Sequence, residues 1–346
     1  MVNEGERSRR ERLGRRGKEE ASEEGAFLLP SDDEEVYEVA ETTPIRGEEV
    51  DGGSSYSSDV PPAQMAVSDL NVLLVGESGL GKSTFVNTLF NKDVIPRLPS
   101  GASAKTLCIT PYSEIRQSTN HQLRVTVYDT PGYGDDPNLL KNWFHIVDFI
   151  DEQNREYARR KRYKESFVDP RIDLCFYFCP PHRFKDTDRA FVALLARRTL
   201  VVPLLAKADA MTQAETTAHR AAVREQLERM HSFSMEEVAN VFTVMGLGGG
   251  GHFPPAIIGY ELRAEGTEMR RDYDGMRIRR YPWGDAEVDN PKHCDVTRIR
   301  ESLLRSADFH RVKEQTSRRW TDFMNHDTVW NRMLGNLDRM CYFLCG

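Results

Sequence analysis

The sequence predicts an α/β fold in which a mostly parallel sheet is flanked by helices. The run LNVLLVG (70–76) is continuously apolar, which is typical of a strand buried on both faces of a parallel sheet. Apolar side chains then recur at helical spacing, with Phe85, Val86, Leu89 and Phe90 on one face. Two later apolar runs repeat the strand pattern, and this alternation is typical of Rossmann-like domains.

The composition indicates a cytoplasmic protein with enough apolar residues for one large domain. The 346 residues are 39% hydrophobic and carry a net charge of -7. Apolar runs such as Leu200–Ala206 fall far below the roughly 18 residues that span a bilayer. The first 20 residues lack the apolar core of a secretory signal peptide. Six cysteines without a CxxC pair argue against a disulfide scaffold or a zinc cluster.

The amino-terminal segment, residues 1–69, is predicted to be a disordered acidic extension. It holds 8 basic and 18 acidic side chains, a net charge of -10, which leaves +3 on the remaining 277 residues. Few apolar groups and strong self-repulsion cannot offset the entropy lost on ordering. Within the extension, residues 1–18 are basic. Two interpretations stay open for them: contact with an anionic membrane surface, or a solvated arm.

The first predicted strand leads directly into the motif GESGLGKST, which matches the GxxxxGK[ST] pattern of a phosphate-binding loop. Glycines let the backbone amides approach a phosphate closely. Lys82 supplies a positive charge for the β- and γ-phosphates, and the Ser83 hydroxyl is placed to bind Mg²⁺. A glycine-rich turn with an exposed lysine is the alternative. The predicted loop residues are Gly76, Glu77, Ser78, Gly79, Leu80, Gly81, Lys82, Ser83 and Thr84.

A second buried strand begins at residue 123 and ends in the sequence DTPG. Asp129 falls at the carboxyl end of this strand, where it is predicted to hold Mg²⁺ through water. The amide of Gly132 can meet a γ-phosphate, so the residues that follow are predicted to respond to the nucleotide. The motif is weak by itself, and its position 47 residues after Lys82 supports it.

A third strand is predicted within TLVVPLLAKAD (199–209), which delivers Lys207 and Asp209 to the same edge of the sheet. A carboxylate there can accept hydrogen bonds from N1–H and the 2-amino group of guanine, whereas adenine offers an acceptor at N1. GTP and GDP are therefore favoured over ATP. A polar strand end without a ligand is the alternative. Ala206 stands where most GTPases have asparagine.

Three further elements are predicted from spacing. Helices are expected at 139–160 and 213–230, where apolar residues recur at helical intervals. The segment LCFYFC (174–179) is expected to be a strand with Cys175 and Cys179 on one face, packed in the core.

These motifs resemble the septin family of GTP-binding filament proteins, above all AKAD in combination with the segment RRYPWGDAEVDNPKHCDVTRIRESLL (279–304). The resemblance covers about residues 69–325. It implies a P-loop GTPase domain over 70–275, an αβ extension similar to the septin unique element over 276–325, and a short tail over 326–346. The tail has no heptads, so no coiled coil is expected.

The same resemblance implies roles for residues outside the three motifs. Thr106 resembles the first-switch threonine linked to hydrolysis and Mg²⁺. Gly259 and Arg279 resemble residues at the base, with the arginine stacked on it. His182 lies in a loop that keeps the family's spacing, and Glu215 resembles a residue that reaches a neighbour's nucleotide.

The predicted activity is slow GTP hydrolysis at a subunit interface. Tyr133 follows Gly132, where small GTPases place a glutamine that positions water. Besides Lys82 and Thr106, three arginines are candidate catalytic residues that act on a facing subunit: Arg183, Arg220 and Arg224.

The predicted partners are a second copy of the chain or other septin-like chains, in dimers or filaments of a cytoplasmic, cytoskeletal protein. No nucleic acid partner is predicted, and no basic cluster immediately precedes Leu70, where many septins bind membranes. Two other interpretations stay open: a structural module that binds GTP or GDP without hydrolysis, and a monomeric signalling GTPase.

Overall fold

The computed structural model describes most of the chain after residue 66. The described residues are 67–92, 94–95, 106, 108–118, 121–134, 139–163, 167–230, 234, 238, 252–260, 277–282, 284–303 and 309–325. Residues 1–66 of the predicted acidic extension and the predicted tail 326–346 lie outside the described residues.

Five strands of the described chain form a sheet in the order β2, β3, β1, β4, β5. The strands are β1 (Val67–Gly76), β2 (Thr110–Ser118), β3 (His121–Asp129), β4 (Leu174–Cys179) and β5 (Leu200–Leu205). All neighbouring pairs are parallel except β2 and β3, which are antiparallel. The carboxyl ends of the four parallel strands therefore lie at one edge of the sheet, where ligands of open α/β sheets bind. The predicted fold class is confirmed.

Helices and a hairpin complete the described architecture. The helices are α1 (Lys82–Phe90), α2 (Leu139–Arg162), α3 (Asp186–Ala196), α4 (Gln213–Glu228), α5 (Val296–Leu303) and α6 (309–325). A single 3₁₀ turn, Ala208–Ala210, follows β5. The strands β6 (Ile278–Tyr281) and β7 (Gly284–Glu287) form an antiparallel pair.

Part of the core lies between the sheet and the helix that follows the first strand. Phe85 of α1 contacts Phe176 and Phe178 of β4 edge to face, with ring centroids 5.7 and 5.4 Å apart. All three rings are fully buried. Edge-to-face pairs contribute beyond the area that they bury, so this cluster fixes α1, and with it the phosphate loop, against the sheet.

The carboxyl-terminal segments are joined to the sheet by buried polar contacts. The Asp295 carboxylate, just before α5, accepts a hydrogen bond of 2.9 Å from the Ala256 amide. Ala256 in turn forms an isolated parallel bridge with Leu205 at the end of β5. At the opposite edge, Lys313 of α6 donates to the buried Asp173 carboxylate at 2.7 Å. These contacts fix the start of α5 and α6 relative to the sheet.

Several boundaries differ from those that the sequence predicts. The first strand begins at Val67 rather than at residue 70. The third predicted strand ends at Leu205, because the chain turns into the 3₁₀ segment before Asp209. The strand 174–179 has the predicted bounds, with Cys175 and Cys179 buried. No helix among the described residues is long and apolar enough to cross a membrane.

Candidate nucleotide-binding site

The phosphate loop connects β1 to α1 in the predicted position. Gly79 and Gly81 have φ angles of 74° and 85°, a left-handed conformation that favours glycine. Gly76 lies so close to β4 that an added Cβ would stand 2.7 Å from the Phe178 Cβ atom. Leu80 is buried, and Thr84 lies in the first turn of α1. The glycines are therefore required by backbone conformation at two positions and by packing at a third.

Lys82 is held at the mouth of this loop. Its ammonium group donates to the Gly76 and Glu77 carbonyls at 3.0 and 3.1 Å. The residue is 6% exposed. A buried lysine bound to two carbonyls retains a charge that an anion can neutralise, and phosphate oxygens are the anions that such a loop admits.

Ser83, Thr106 and Asp129 converge beside Lys82. The Ser83 and Thr106 hydroxyls donate to the same Asp129 oxygen, Oδ2, at 2.5 and 3.3 Å. The other oxygen of Asp129, Oδ1, is buried and has no hydrogen-bond partner among the described residues. Burial raises the Asp129 pKa, while the Ser83 hydrogen bond and the Lys82 charge lower it in part.

This group of residues fits a magnesium ion. Two hydroxyls and one carboxylate are hard oxygen ligands, and Mg²⁺ in nucleotide sites takes few protein ligands because water and phosphate complete its shell. The unpartnered Oδ1 of Asp129 is the acceptor that such an ion and its waters would satisfy. Among the described residues no cluster of three or more His, Cys, Asp and Glu could hold a metal, which is expected for a site that depends on hydroxyls.

Gly132 and Tyr133 lie directly against the phosphate loop. A Cβ added at Gly132 would stand 2.4 Å from the Ser78 Cα atom. The Ser78 amide donates to the Tyr133 carbonyl at 2.9 Å. The Tyr133 side chain points into the core, where its hydroxyl contacts the Tyr177 hydroxyl and the Asp188 carboxylate. Burial holds the pKa of Tyr133 well above its ordinary value. This phenol is therefore turned away from the phosphate site.

The predicted base site is assembled from three separate segments. The Asp209 side chain is 6% exposed, and its Oδ2 lies 2.8 Å from an Arg279 guanidinium nitrogen. Arg279 also donates to the Gly259 carbonyl at 3.3 Å. Gly259 packs on the phosphate-loop helix, since an added Cβ would stand 3.0 Å from the Thr84 methyl group. Lys207 is exposed beside them, with a φ of 50°.

Two features of the base site go beyond the sequence prediction. Arg279, expected to stack on the base, forms an ion pair with Asp209. Tyr281, which sequence analysis did not assign, donates its hydroxyl to the same Asp209 oxygen. The available signal was its spacing: it lies two residues after Arg279, and alternate residues of a strand share a face. Both observations indicate that one strand, β6, supplies groups that hold the Asp209 carboxylate in position.

The segment between β4 and α3 carries predicted interface residues. His182 has a φ of 60° and is exposed. Arg183, also exposed, pairs closely with Glu77 of the phosphate loop, and Lys185 lies 3.6 Å from the same carboxylate. The side chain of Glu77, a residue of the predicted phosphate-binding loop, is thus engaged by two cations of its own chain.

The three predicted residues of α4 have different environments. Glu215 accepts hydrogen bonds of 2.8 Å from the Thr212 amide and hydroxyl, so it caps its own helix. Arg224 is 39% exposed in its side chain and lies 3.1 Å from Glu228. Both residues are on the outside of the helix. They are not brought together with the phosphate site of their own chain.

Arg220 requires a correction. Its guanidinium is buried, donates to the Pro254 carbonyl at 2.9 Å and pairs with Asp295 at 3.1 Å. Breaking a buried ion pair leaves an uncompensated charge and is strongly unfavourable. Arg220 is therefore a structural residue between α4 and α5, and the prediction that it acts on a facing subunit is wrong.

The fold and this site together define the class of domain that the chain forms. A phosphate loop between the first strand and helix, an aspartate at the end of β3 and another aspartate after β5 give the chain the fold and motifs of a P-loop GTPase domain. The family model described as Septin matches residues 67–333. The chain therefore belongs to the septin family. The crystal structure of the septin GTPase domain from Chlamydomonas reinhardtii is similar, with a TM-score of 0.62 and 25% identity over 75% of this chain and 99% of that one.

Curated relatives match this chain at similar levels of sequence identity. Septin-8-A of Xenopus laevis is 32% identical over 261 residues, which cover 72% of this chain and 58% of that protein. Septin-2 of Drosophila melanogaster is 33% identical over 262 residues, 72% of this chain and 60% of that protein. The chain thus spans little more than half the length of the curated relatives it matches.

Proposed function

We propose that this chain binds GTP and GDP with Mg²⁺, hydrolyses GTP slowly, and assembles so that a second subunit closes over the nucleotide. The observation that carries the proposal is the convergence of Ser83, Thr106 and Asp129 beside Lys82, with one buried Asp129 oxygen unpartnered. A hydroxyl and carboxylate group of this kind is of use chiefly when a cation and phosphate oxygens approach it.

Selection of guanine is proposed to depend on Asp209. Its Oδ1 is buried without a partner among the described residues. A guanine edge offers two donors to this carboxylate, and adenine offers an acceptor that would leave the charge unpaired. Lys207 and Arg279 flank the position, so their side chains are proposed to lie along the two faces of the base.

Hydrolysis is proposed to depend on positioning and charge. Lys82 neutralises developing charge on the phosphates, and the Thr106 hydroxyl, 3.5 Å from the Ser83 hydroxyl, orients the attacking water. Ser83, Asp129 and Thr106 would hold Mg²⁺, which when bound would neutralise charge on the phosphates. Tyr133 cannot position water because its side chain is buried. We therefore expect a slow intrinsic rate.

A module that binds nucleotide without turnover is the second candidate. The buried Tyr133 favours it, because its side chain does not take the place of a water-positioning glutamine. The two candidates differ in one measurement. Phosphate release that stops in Thr106→Ala supports the enzyme, and absence of any release from the unaltered chain supports the structural module.

Assembly is proposed to use the edge of the sheet where the nucleotide lies. A facing copy, or another septin-like chain, contacts the exposed His182, Arg183 and Glu215. An interface of this symmetric kind closes a dimer, and a second contact surface extends it into filaments. A cytoplasmic and cytoskeletal location, with peripheral contact between residues 1–18 and anionic membranes, completes the proposal.

The test is uptake of labelled GTP and GDP by the full chain in magnesium buffer. Lys82→Ala is expected to weaken uptake by at least about 100-fold, because hydrogen-bonded charge at a buried phosphate site is removed. The matched control is Lys92→Ala, an exposed lysine 3.6 Å from Glu114, which should bind normally. Mass measured at two protein concentrations tests assembly. No uptake by the unaltered chain rejects the proposal.

A further inference from the structure

Tyr281 lies at the base site without an assigned role. It is the last residue of β6, and its hydroxyl donates to Asp209 Oδ2. Arg279, two residues earlier, places a guanidinium nitrogen 2.8 Å from the same oxygen. The Arg279 guanidinium also lies over the Tyr281 ring, 5.6 Å from its centroid. A single strand thus supplies both donors to one carboxylate oxygen.

The other oxygen of this carboxylate has unused hydrogen-bonding capacity. Asp209 Oδ1 is buried and has no partner among the described residues, although buried polar atoms are normally satisfied. Asp209 and Tyr281 both line a cavity of about 920 Å³. A ligand with hydrogen-bond donors on one edge fits the position, and guanine has two.

The two donors on Oδ2 are not equivalent. Arg279 is a long side chain that also bonds to the Gly259 carbonyl, and it can move onto the face of a base while it keeps contact with its strand. Tyr281 is rigid, and burial together with Asp209 raises its pKa above the ordinary value, so the phenol stays a donor at neutral pH. A carboxylate with one oxygen bound by a fixed donor cannot rotate freely about its last bond.

We propose that Tyr281 is a specificity-determining positioning residue: its hydroxyl holds the Asp209 carboxylate in the orientation that reads the N1–H and 2-amino edge of guanine. This inference rests on the proposed guanine nucleotide binding. It assigns discrimination to a residue that acts through Asp209 and does not itself touch the base.

The test compares GDP with IDP, which lacks the 2-amino group, in the unaltered full chain and in Tyr281→Phe. The substitution keeps the ring beneath Arg279 and removes only the hydroxyl. GDP binding is expected to weaken about tenfold, the effect of losing one hydrogen bond to a charged group. IDP, which uses fewer of the carboxylate's acceptor positions, should weaken less, so the ratio of the two dissociation constants should fall at least about threefold.

The control is Tyr157→Phe, a tyrosine of α2 whose ring packs against Trp320 with centroids 5.0 Å apart, away from the base site. It should leave both constants unchanged. The ratio does not depend on the folded fraction, because unfolded chains bind neither nucleotide. An unchanged ratio in Tyr281→Phe, or equal losses for GDP and IDP, overturns the inference and leaves the proposed function standing. Failure of the unaltered chain to bind GDP overturns both.

Discussion

Single residues of this protein take their roles from partners that are distant in the sequence. Lys82, Ser83 and Asp129 were predictable because a short motif with fixed spacing contains the chemistry of each. The role of Arg220 was not predictable, because its partner Asp295 lies 75 residues away and burial, rather than charge, decides what the guanidinium does. Tyr281 was missed for the same reason, since its partner Asp209 is 72 residues distant.

His219, which contacts the segment that carries His182 and Arg183, makes the stability of the protein depend on pH. Its Nε2 lies 3.0 Å from the Pro180 carbonyl, at the start of that segment. Burial lowers the pKa of His219 below its ordinary value, the Pro180 hydrogen bond opposes this in part, and the nearby His182 lowers it further. The unfolded chain therefore binds more protons than the folded chain below about pH 6.5.

The expected result is a loss of stability as the pH falls below about 6.5, where the unfolded histidine becomes charged. Stability from this residue is fully present above that value. In His219→Gln the loss between pH 7.5 and 5.5 should be smaller, and each unit of pKa difference corresponds to about 1.4 kcal/mol. Urea unfolding at both values measures it. Equal losses in the two proteins would contradict the prediction.

Among the elements, α3 depends on the Asp188 carboxylate, each of whose two oxygens accepts a hydrogen bond. Asp188 accepts from the Lys185 amide at 2.8 Å, which caps the helix, and from the Tyr177 hydroxyl at 2.7 Å. The Tyr133 hydroxyl lies 3.4 Å from Asp188 Oδ1, the oxygen that also accepts from Tyr177. The start of α3 is therefore connected through buried groups to the residue that follows Gly132.

Asp188→Ala should lower the free energy of unfolding by about 2–4 kcal/mol, because a cap and a buried hydroxyl both lose their acceptor. The control is Asp186→Ala in the same turn, whose side chain is 87% exposed. That change should cost less than about 0.5 kcal/mol. Urea unfolding with intrinsic fluorescence gives both values. Similar costs for the two variants would show that the buried network contributes little.

The elements that sequence reasoning found are those with an uninterrupted pattern. The strand 174–179 is buried at every residue, so its apolar run was unambiguous. The strand β2, TPYSEIRQS, was missed because it lies at the edge of the sheet, where one side need not be apolar. The helix α3 was missed because it spans only 11 residues and begins with charged ones.

At the scale of the whole molecule, the proposed assembly would determine which arginine reaches a nucleotide. Arg183 pairs with Glu77 of its own phosphate loop, and Arg224 pairs with Glu228 of its own helix. Both pairs are partly exposed, and exposed pairs are weak, about 0–1 kcal/mol. Either arginine can therefore leave its partner when a second subunit presents a phosphate.

Arg183→Ala or Arg224→Ala should lower turnover at high protein concentration and leave turnover at low concentration unchanged. An arginine supplied by a facing subunit contributes about 10³–10⁵ in rate in other GTPases, so the effect should be large for the residue involved. The control is Arg229→Ala at the end of α4, the helix that carries Arg224. The Arg229 side chain is 71% exposed. Unchanged turnover in both variants would reject a role for either arginine.

The domain boundaries at residues 70, 276 and 326 remain predictions at this scale. Composition suggests them, but the contacts of Asp295 with Ala256 and of Lys313 with Asp173 show that the last segments pack closely on the sheet. Sequence pattern locates a change in composition, whereas the extent of a folded unit depends on contacts between residues that are far apart in the chain.

The pairing of β6 with β7 makes the hairpin intolerant of insertions. Arg279 pairs with Ala286, and Tyr281 pairs with Gly284. Because strand side chains alternate between faces, adding one residue before Ile278 would turn both donors away from Asp209 and present Ile278 and Arg280 in their place. A change in length as small as one codon, outside every recognised motif, is therefore expected to abolish base selection while the phosphate loop stays intact.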